Sequence, residues 1–155
     1  MSDTTAAPAP SVGMPIQINA QYIKDLSFEN PRAPASLQPQ EAQPQIAVNV
    51  DVSASRLTDN ADVFEVLLKV SANATVNDAA LFLTELSYAG LFTLKDIPED
   101  ALHPMLLIEC PRILFPFARA IVADATRDGG FPPLLIQPVD FAAMYRQSQT
   151  QPADP

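Results

Sequence analysis

Two stretches of strict alternation constrain this chain more than anything else in it. Ile46, Val48, Val50 and Val52 fall on one side of an extended backbone, Ala47, Asn49, Asp51 and Ser53 on the other, and Phe64, Val66, Leu68, Val70, Ala72 and Ala74 repeat the period. Successive side chains of a strand point to opposite faces, so this pattern marks half-buried antiparallel strands. The polar step at Asp59-Asn60 predicts a hairpin turn between them. A third run, Ala79 to Tyr88, continues the sheet, with Phe82, Leu86 and Tyr88 sharing a face, Leu83 and Glu85 on the reverse, and Gly90 ending it. Leu91-Phe92-Thr93-Leu94 reads as an apolar connector, because it lacks the spacing of an amphipathic helix.

Before these strands, Ile16 to Phe28 alternates imperfectly, with a phase change near Ala20 to Ile23 that suits one long strand broken by a bulge. Pro31, Pro34, Pro39 and Pro44 make residues 31 to 45 an extended connector. After Ile97 to Leu102, which carries little periodic signal, Pro111 suits the first turn of a helix. Ile113, Leu114, Phe117, Ala118, Ile121, Val122 and Ala125 recur at helical spacing, with Pro116 as a kink point and Gly129 as the stop. A second, shorter helix is expected from about Val139 through Tyr145. Strands first and helices last give an α+β fold: a four-stranded antiparallel sheet with two C-terminal helices on one face. Residues 1–14 are expected to be a disordered tail, 15–146 a single domain, and 147–155 a second disordered tail.

Acidic residues outnumber basic ones 18 to 9, and the net charge of -9 repels phosphates while attracting basic partners, so nucleic-acid binding is not expected. With 48% apolar and only 17% charged residues, burial against other subunits is expected. One cysteine permits no intrachain disulfide and fits a reducing cytosol. No window supplies the roughly 18 apolar residues of a membrane-spanning helix, and the first 14 residues lack a secretory signal pattern. A cytoplasmic chain without membrane insertion is expected.

The inventory for chemistry is thin. His103 is the only histidine, so neither a Ser-His-Asp triad nor a two-histidine metal site can be assembled within one chain, and it reads as a loop residue. Cys110 stands at a helix entrance, where the dipole lowers a thiol pKa, yet without a base in the sequence it reads as a small buried or interfacial residue. No glycine pattern for phosphate is present. Asp25 and Glu29 are about 13 Å apart on a strand and read as a solvated face. The apolar excess from Tyr88 to Leu94 and on the helices reads first as core. No enzyme, cofactor or metal is expected.

Three segments carry a resemblance: Cys110-Pro-Arg-Ile-Leu-Phe-Pro-Phe-Ala-Arg119, Gly129-Gly-Phe-Pro-Pro-Leu-Leu-Ile-Gln-Pro-Val-Asp-Phe141 and Tyr22-Ile-Lys-Asp-Leu-Ser-Phe-Glu-Asn-Pro31. In collinear order over roughly residues 16 to 145, the chain resembles the SecB protein-export chaperones of Gram-negative bacteria. That resemblance implies an ATP-independent cytosolic chaperone that keeps precursor proteins unfolded and delivers them to the motor SecA, assembled as a homotetramer, a dimer of dimers. It implies a SecA-docking surface at Asp25, Glu29, Leu83 and Glu85. It also implies a groove for unfolded clients among Tyr88, Leu91, Phe92, Leu94, Phe141, Met144 and Tyr145. The chain departs from the family at Ser87-Tyr88-Ala89-Gly90, where a glutamine and two glycines are common, and in its short, nearly uncharged tail after Gln147. Other readings remain open: a SecB-like chaperone dedicated to a toxin-antitoxin partner, a carrier of small apolar ligands, and a structural oligomerisation module.

Overall fold

The computed structural model describes residues 15–57 and 62–150. The expected N-terminal tail, the Asp59-Asn60 turn and the last five residues lie outside them.

Four strands, β1 (Gln17–Glu29), β2 (Gln45–Arg56), β3 (Val63–Val76) and β4 (Ala79–Thr93), form one antiparallel sheet in the order β1-β4-β3-β2. Three consecutive antiparallel strands with the first folded back beside the last make a Greek key. The long return runs through residues 30–44 and contains a 3-10 turn at Ala35–Leu37 where an extended connector was expected. As the alternation requires, Val66, Leu68, Val70, Ala72 and Ala74 of β3 are buried, together with Phe82, Thr84 and Leu86 of β4.

Two expectations fail in instructive ways. Gly90 does not end β4, which runs on to Thr93, so Leu91-Phe92-Thr93 is strand and Phe92 and Leu94 are core. Glycine is needed at this position for space. A Cβ there would lie 2.6 Å from the Phe92 ring and 2.9 Å from Leu114 Cδ2, so the bare backbone lets the helix layer settle onto the strand. The second failure is the helix start at Pro111. The backbone is already helical from Glu99, through α1 (Glu99–Pro104) and a π turn (Met105–Glu109) into α2 (Cys110–Asp128). The Cys110 N–H reaches back five residues to the Met105 carbonyl, and this widened turn directly precedes Pro111, which has no N–H to offer.

α2 ends at Asp128 with Gly129 following as its cap, where the stop was expected. Gly129 keeps a helical φ of -75°, and Gly130, at φ +95°, turns the chain while the Phe131 and Gly130 N–H groups bond the Thr126 and Arg127 carbonyls. The final helix, α3 (Phe141–Thr150), begins two residues later than expected, where the Asp140 carboxylate accepts the Ala143 N–H. It extends through Gln147 to Thr150, which were expected to fray. Phe115, Ala118 and Val122 of α2, Ile136 of the connector and Phe141 of α3 close the main core over β3 and β4. Among the described residues no helix is long and apolar enough to cross a membrane.

Gly90→Ala is expected to lower stability by about 1–3 kcal/mol, the usual cost of overpacking. Urea unfolding at fixed protein concentration measures it.

Candidate functional site

The two faces of the sheet differ in chemistry. On the face turned away from the helices, Asp25 pairs with Ser87, Ser27 with Glu85, and Glu29 with Leu83. Asp25, Glu29, Leu83 and Glu85 therefore gather on neighbouring strands of one face. Diagonal neighbours across a strand pair are about 7–8 Å apart, so Glu85 stands between two carboxylates at that range. Asp25, Glu29 and Glu85 are exposed, and the ion pairs of the described residues engage none of them. A depression of about 390 Å³ beside them is lined by Asn49, Asp51, Lys69 and Ser87.

Beside this patch, Tyr22, Lys24 and Glu65 form a bonded trio. Lys24 Nζ lies 2.8 Å from Glu65 Oε1, and the Tyr22 hydroxyl donates to Glu65 Oε2. Lys24, then Tyr22, hold the Glu65 carboxyl below its ordinary range, and burial, then Glu65, pushes the Tyr22 hydroxyl up to about 12.

The helix-side face carries the apolar candidates, and the structure divides them. Tyr88, Phe92, Leu94 and Phe141 are buried in the core, whereas Leu91 projects on the opposite face beside Glu65. Met144 and Tyr145 are half-buried and line an opening of about 90 Å³ with Val52 and Leu107. Tyr145 is held there by a 3.2 Å contact between its hydroxyl and His103 Nδ1.

A larger apolar pocket of about 210 Å³ opens further along β2, between Pro44 and Ile46 on one side and Phe82, Phe131, Leu134 and Leu135 on the other. Its outer wall is fastened by Thr126, whose hydroxyl accepts the Leu134 N–H at 2.9 Å. Phe82 and Phe131, whose rings are 5.0 Å apart, line the pocket, and Phe28 packs on both from outside it. Sequence reasoning passed over this pocket because its walls come from opposite ends of the chain. The available signal was the apolar side of β2, where Ile46 stays 46% exposed although it alternates as a core residue.

Ile46 and Val52 are six residues apart on the same side of β2, about 20 Å along the strand. Both pockets therefore lie on one line beside an edge strand. That edge pairs with β3 without a register break from Gln45 to Arg56 and contains neither proline nor glycine, whereas β1 is interrupted by two register shifts. Cys110 is fully buried, and burial followed by the Glu109 carboxylate pushes its thiol up to about 12, so the dipole does not activate it.

Comparisons with known proteins agree on one family. The family described as "Preprotein translocase subunit SecB" matches residues 10–152. The chain is similar to Protein-export protein SecB of Afipia carboxidovorans, 54% identical over 157 residues that cover 99% of this chain and 95% of that protein. It is similar also to Protein-export protein SecB of Parvibaculum lavamentivorans, 56% identical over 139 residues, or 90% of this chain and 82% of that protein. Among solved structures, the Mycobacterium tuberculosis Rv1957 SecB-like chaperone in complex with a ChAD peptide from the Rv1956 HigA1 antitoxin shares the fold. Its TM-score is 0.66 at 18% identity, covering 80% of this chain and 90% of that one.

The Glu65 contacts have a pH signature. A carboxyl whose folded pKa is depressed contributes stability that is present above its unfolded pKa of roughly 4.3 and is lost as pH falls through the folded value. Glu65→Gln is expected to be less stable than the parent at pH 7 by under about 1 kcal/mol, because the Lys24 partner is half exposed. Urea titrations from pH 7 to pH 3 should show that difference shrinking towards zero.

Proposed function

The chain belongs to the SecB family, and from that premise we propose that it serves protein export as an ATP-independent chaperone, holding unfolded precursors and passing them to SecA. The observation that carries this reading is the apolar line beside β2. An extended client segment adds to the open β2 edge through main-chain hydrogen bonds, which are indifferent to sequence. Its apolar side chains, alternating at period two, fall towards the two pockets. Met144 and Tyr145 touch the client together with Ile46, Phe131 and Leu135, while Tyr88, Phe92, Leu94 and Phe141 support the groove from beneath. Leu91, on the other face, takes no part in it.

SecA docks on the opposite face, at Asp25, Glu29, Leu83 and Glu85. Exposed carboxylates without ion pairs favour a basic partner and a fast, salt-sensitive encounter. Because the two surfaces lie on opposite sides of the sheet, client and motor are held at once. The second edge supports assembly. Ile18, Ile23 and Leu26 of β1 and Phe117 of α2 are exposed, and Phe117 stacks on Tyr88 at 6.4 Å, next to Ile23. Burial of this margin between copies, in the cytosol, gives a homotetramer built as a dimer of dimers. No reaction or cofactor enters this reading. A carrier of small apolar ligands is disfavoured by the volumes of the two apolar pockets, about 90 and 210 Å³, which fall below the roughly 300–1,000 Å³ of such sites. Relatives above 50% identity bearing export names favour export over a toxin-antitoxin role.

Light scattering at micromolar concentration is expected to give four copies, and a stable monomer would contradict the assembly. Ile46→Asp with Leu135→Asp should weaken capture of an unfolded precursor at least tenfold without lowering the melting temperature, whereas Phe92→Ala should cost the fold about 3–5 kcal/mol. Asp25→Ala, Glu29→Ala and Glu85→Ala should each weaken SecA binding and spare client capture. Unchanged SecA affinity in the triple variant at low salt would remove motor delivery from this assignment.

A further inference from the structure

The second register shift of β1 decides which residues reach the acidic face. Tyr22 pairs with Ala89 and Ile23 with Tyr88, but the next paired residue is Asp25, opposite Ser87, and Lys24 is left over between them. Without that extra residue, strict alternation would pair Lys24 with Ser87 and turn Asp25 towards the helix side. Further along, Leu26 pairs with Leu86 and Phe28 with Thr84, and Phe28 is fixed by its packing on Phe82 and Phe131. The ring of Phe28 therefore secures the strand beyond the bulge. It does not determine where the bulge sits. A bulge moved two residues onward leaves Phe28 and Glu29 in place and withdraws Asp25 alone from the face.

One set of contacts grips the bulge at its observed position. Lys24, the unpaired residue, reaches Glu65 on β3, two strands away, and Tyr22, two residues before it, bonds the other oxygen of the same carboxylate. Both side chains cross β4 over Ala89, which is 0% exposed, at the point where a small residue separates β1 from β3. Bulges re-aim side chains, and this one is tied down at its extra residue and two residues before it.

We propose that Tyr22, Lys24 and Glu65 are positioning residues for docking: together they clamp the β1 bulge and so hold Asp25 on the acidic face beside Glu85. The inference rests on the reading of that face as the SecA surface. Charge alone predicts the opposite outcome for Lys24. Deleting a cation beside Asp25 makes the face more negative and should tighten a basic partner. Loss of the clamp should weaken it.

The test is Lys24→Met, which keeps most of the side chain and removes the tether. Calorimetry with SecA at low salt should show at least a threefold loss of affinity, and Lys24→Arg should restore it. Adding Asp25→Ala to Lys24→Met should weaken binding less than twofold further, while Glu29→Ala should keep its full effect. Tighter binding by Lys24→Met overturns the proposal. A second readout needs no partner: in the parent protein, cross-strand nuclear Overhauser effects should join Asp25 to Ser87 and Phe28 to Thr84. In Lys24→Met with Tyr22→Phe, and in Glu65→Gln, the first should be lost and the second kept. Persistence of the Asp25 to Ser87 effect in both variants overturns the clamp whatever SecA does. If the parent fails to bind SecA, or Asp25→Ala leaves its affinity unchanged, the docking reading falls while the Overhauser data still judge the clamp.

Discussion

One helix is narrower than four strands, and the rest of the structure follows from that mismatch. A helix with its side chains is about 10–12 Å across, while strands repeat every 4.8 Å or so, which makes the sheet nearly twice as wide. α2 settles onto the two central strands, where Leu114 meets the bare backbone of Gly90, and its Ala118 and Val122 are fully buried. The margins stay uncovered on the same side. Ile23 and Leu26 are exposed along β1, Ile46 and Val48 along β2. A chain that only had to be a stable monomer would gain by polar residues at both margins. In the function proposed above, keeping them apolar leaves one margin for another copy and one for a client.

The margins are not equivalent, and the difference lies in the backbone. β1 shifts register twice and carries Lys24 at one of the shifts, while β2 runs straight beside β3 with Asp51 as its only acidic residue. Irregularity on β1 restricts what can pair with it, so it suits one fixed geometry. Regularity on β2 suits many sequences in turn. The same irregularity sets which face each residue beyond it takes, Asp25 the acidic side and Phe28 the core side, so a defect in the ladder serves the core and the acidic surface together.

Sequence read the central fold well because β3 states its period over its whole length, from Phe64 to Ala74, and the structure buries that face as predicted. It failed on Leu91 to Leu94 because Ala89 and Leu91, on the side of β4 turned away from the helices, are apolar as well, so hydropathy does not alternate there although the core side is the more buried one. It began the long helix too late because Pro104 and Pro111 punctuate a stretch whose Leu106 is buried and whose Leu102, Met105, Leu107 and Ile108 are partly so, erasing amphipathic contrast. The acidic patch was invisible to spacing, since Asp25 and Glu85 become neighbours only through the pairing of β1 with β4. The larger pocket was invisible for the same reason: Ile46 and Leu135 belong to distant segments, and only the fold brings them to one opening.

An open, straight, partly apolar edge is also the geometry from which strands of separate molecules stack into fibres. β2 does not blunt that hazard with the usual devices of lysine, proline or a bulge. What keeps copies apart is long-range charge of one sign: each carries a net -9, so two particles approaching edge to edge repel before their backbones come within bonding distance. Strong acidity thus acts as colloidal protection for an edge that the proposed function keeps adhesive, and it ties the safe working concentration of the protein to the ionic strength around it.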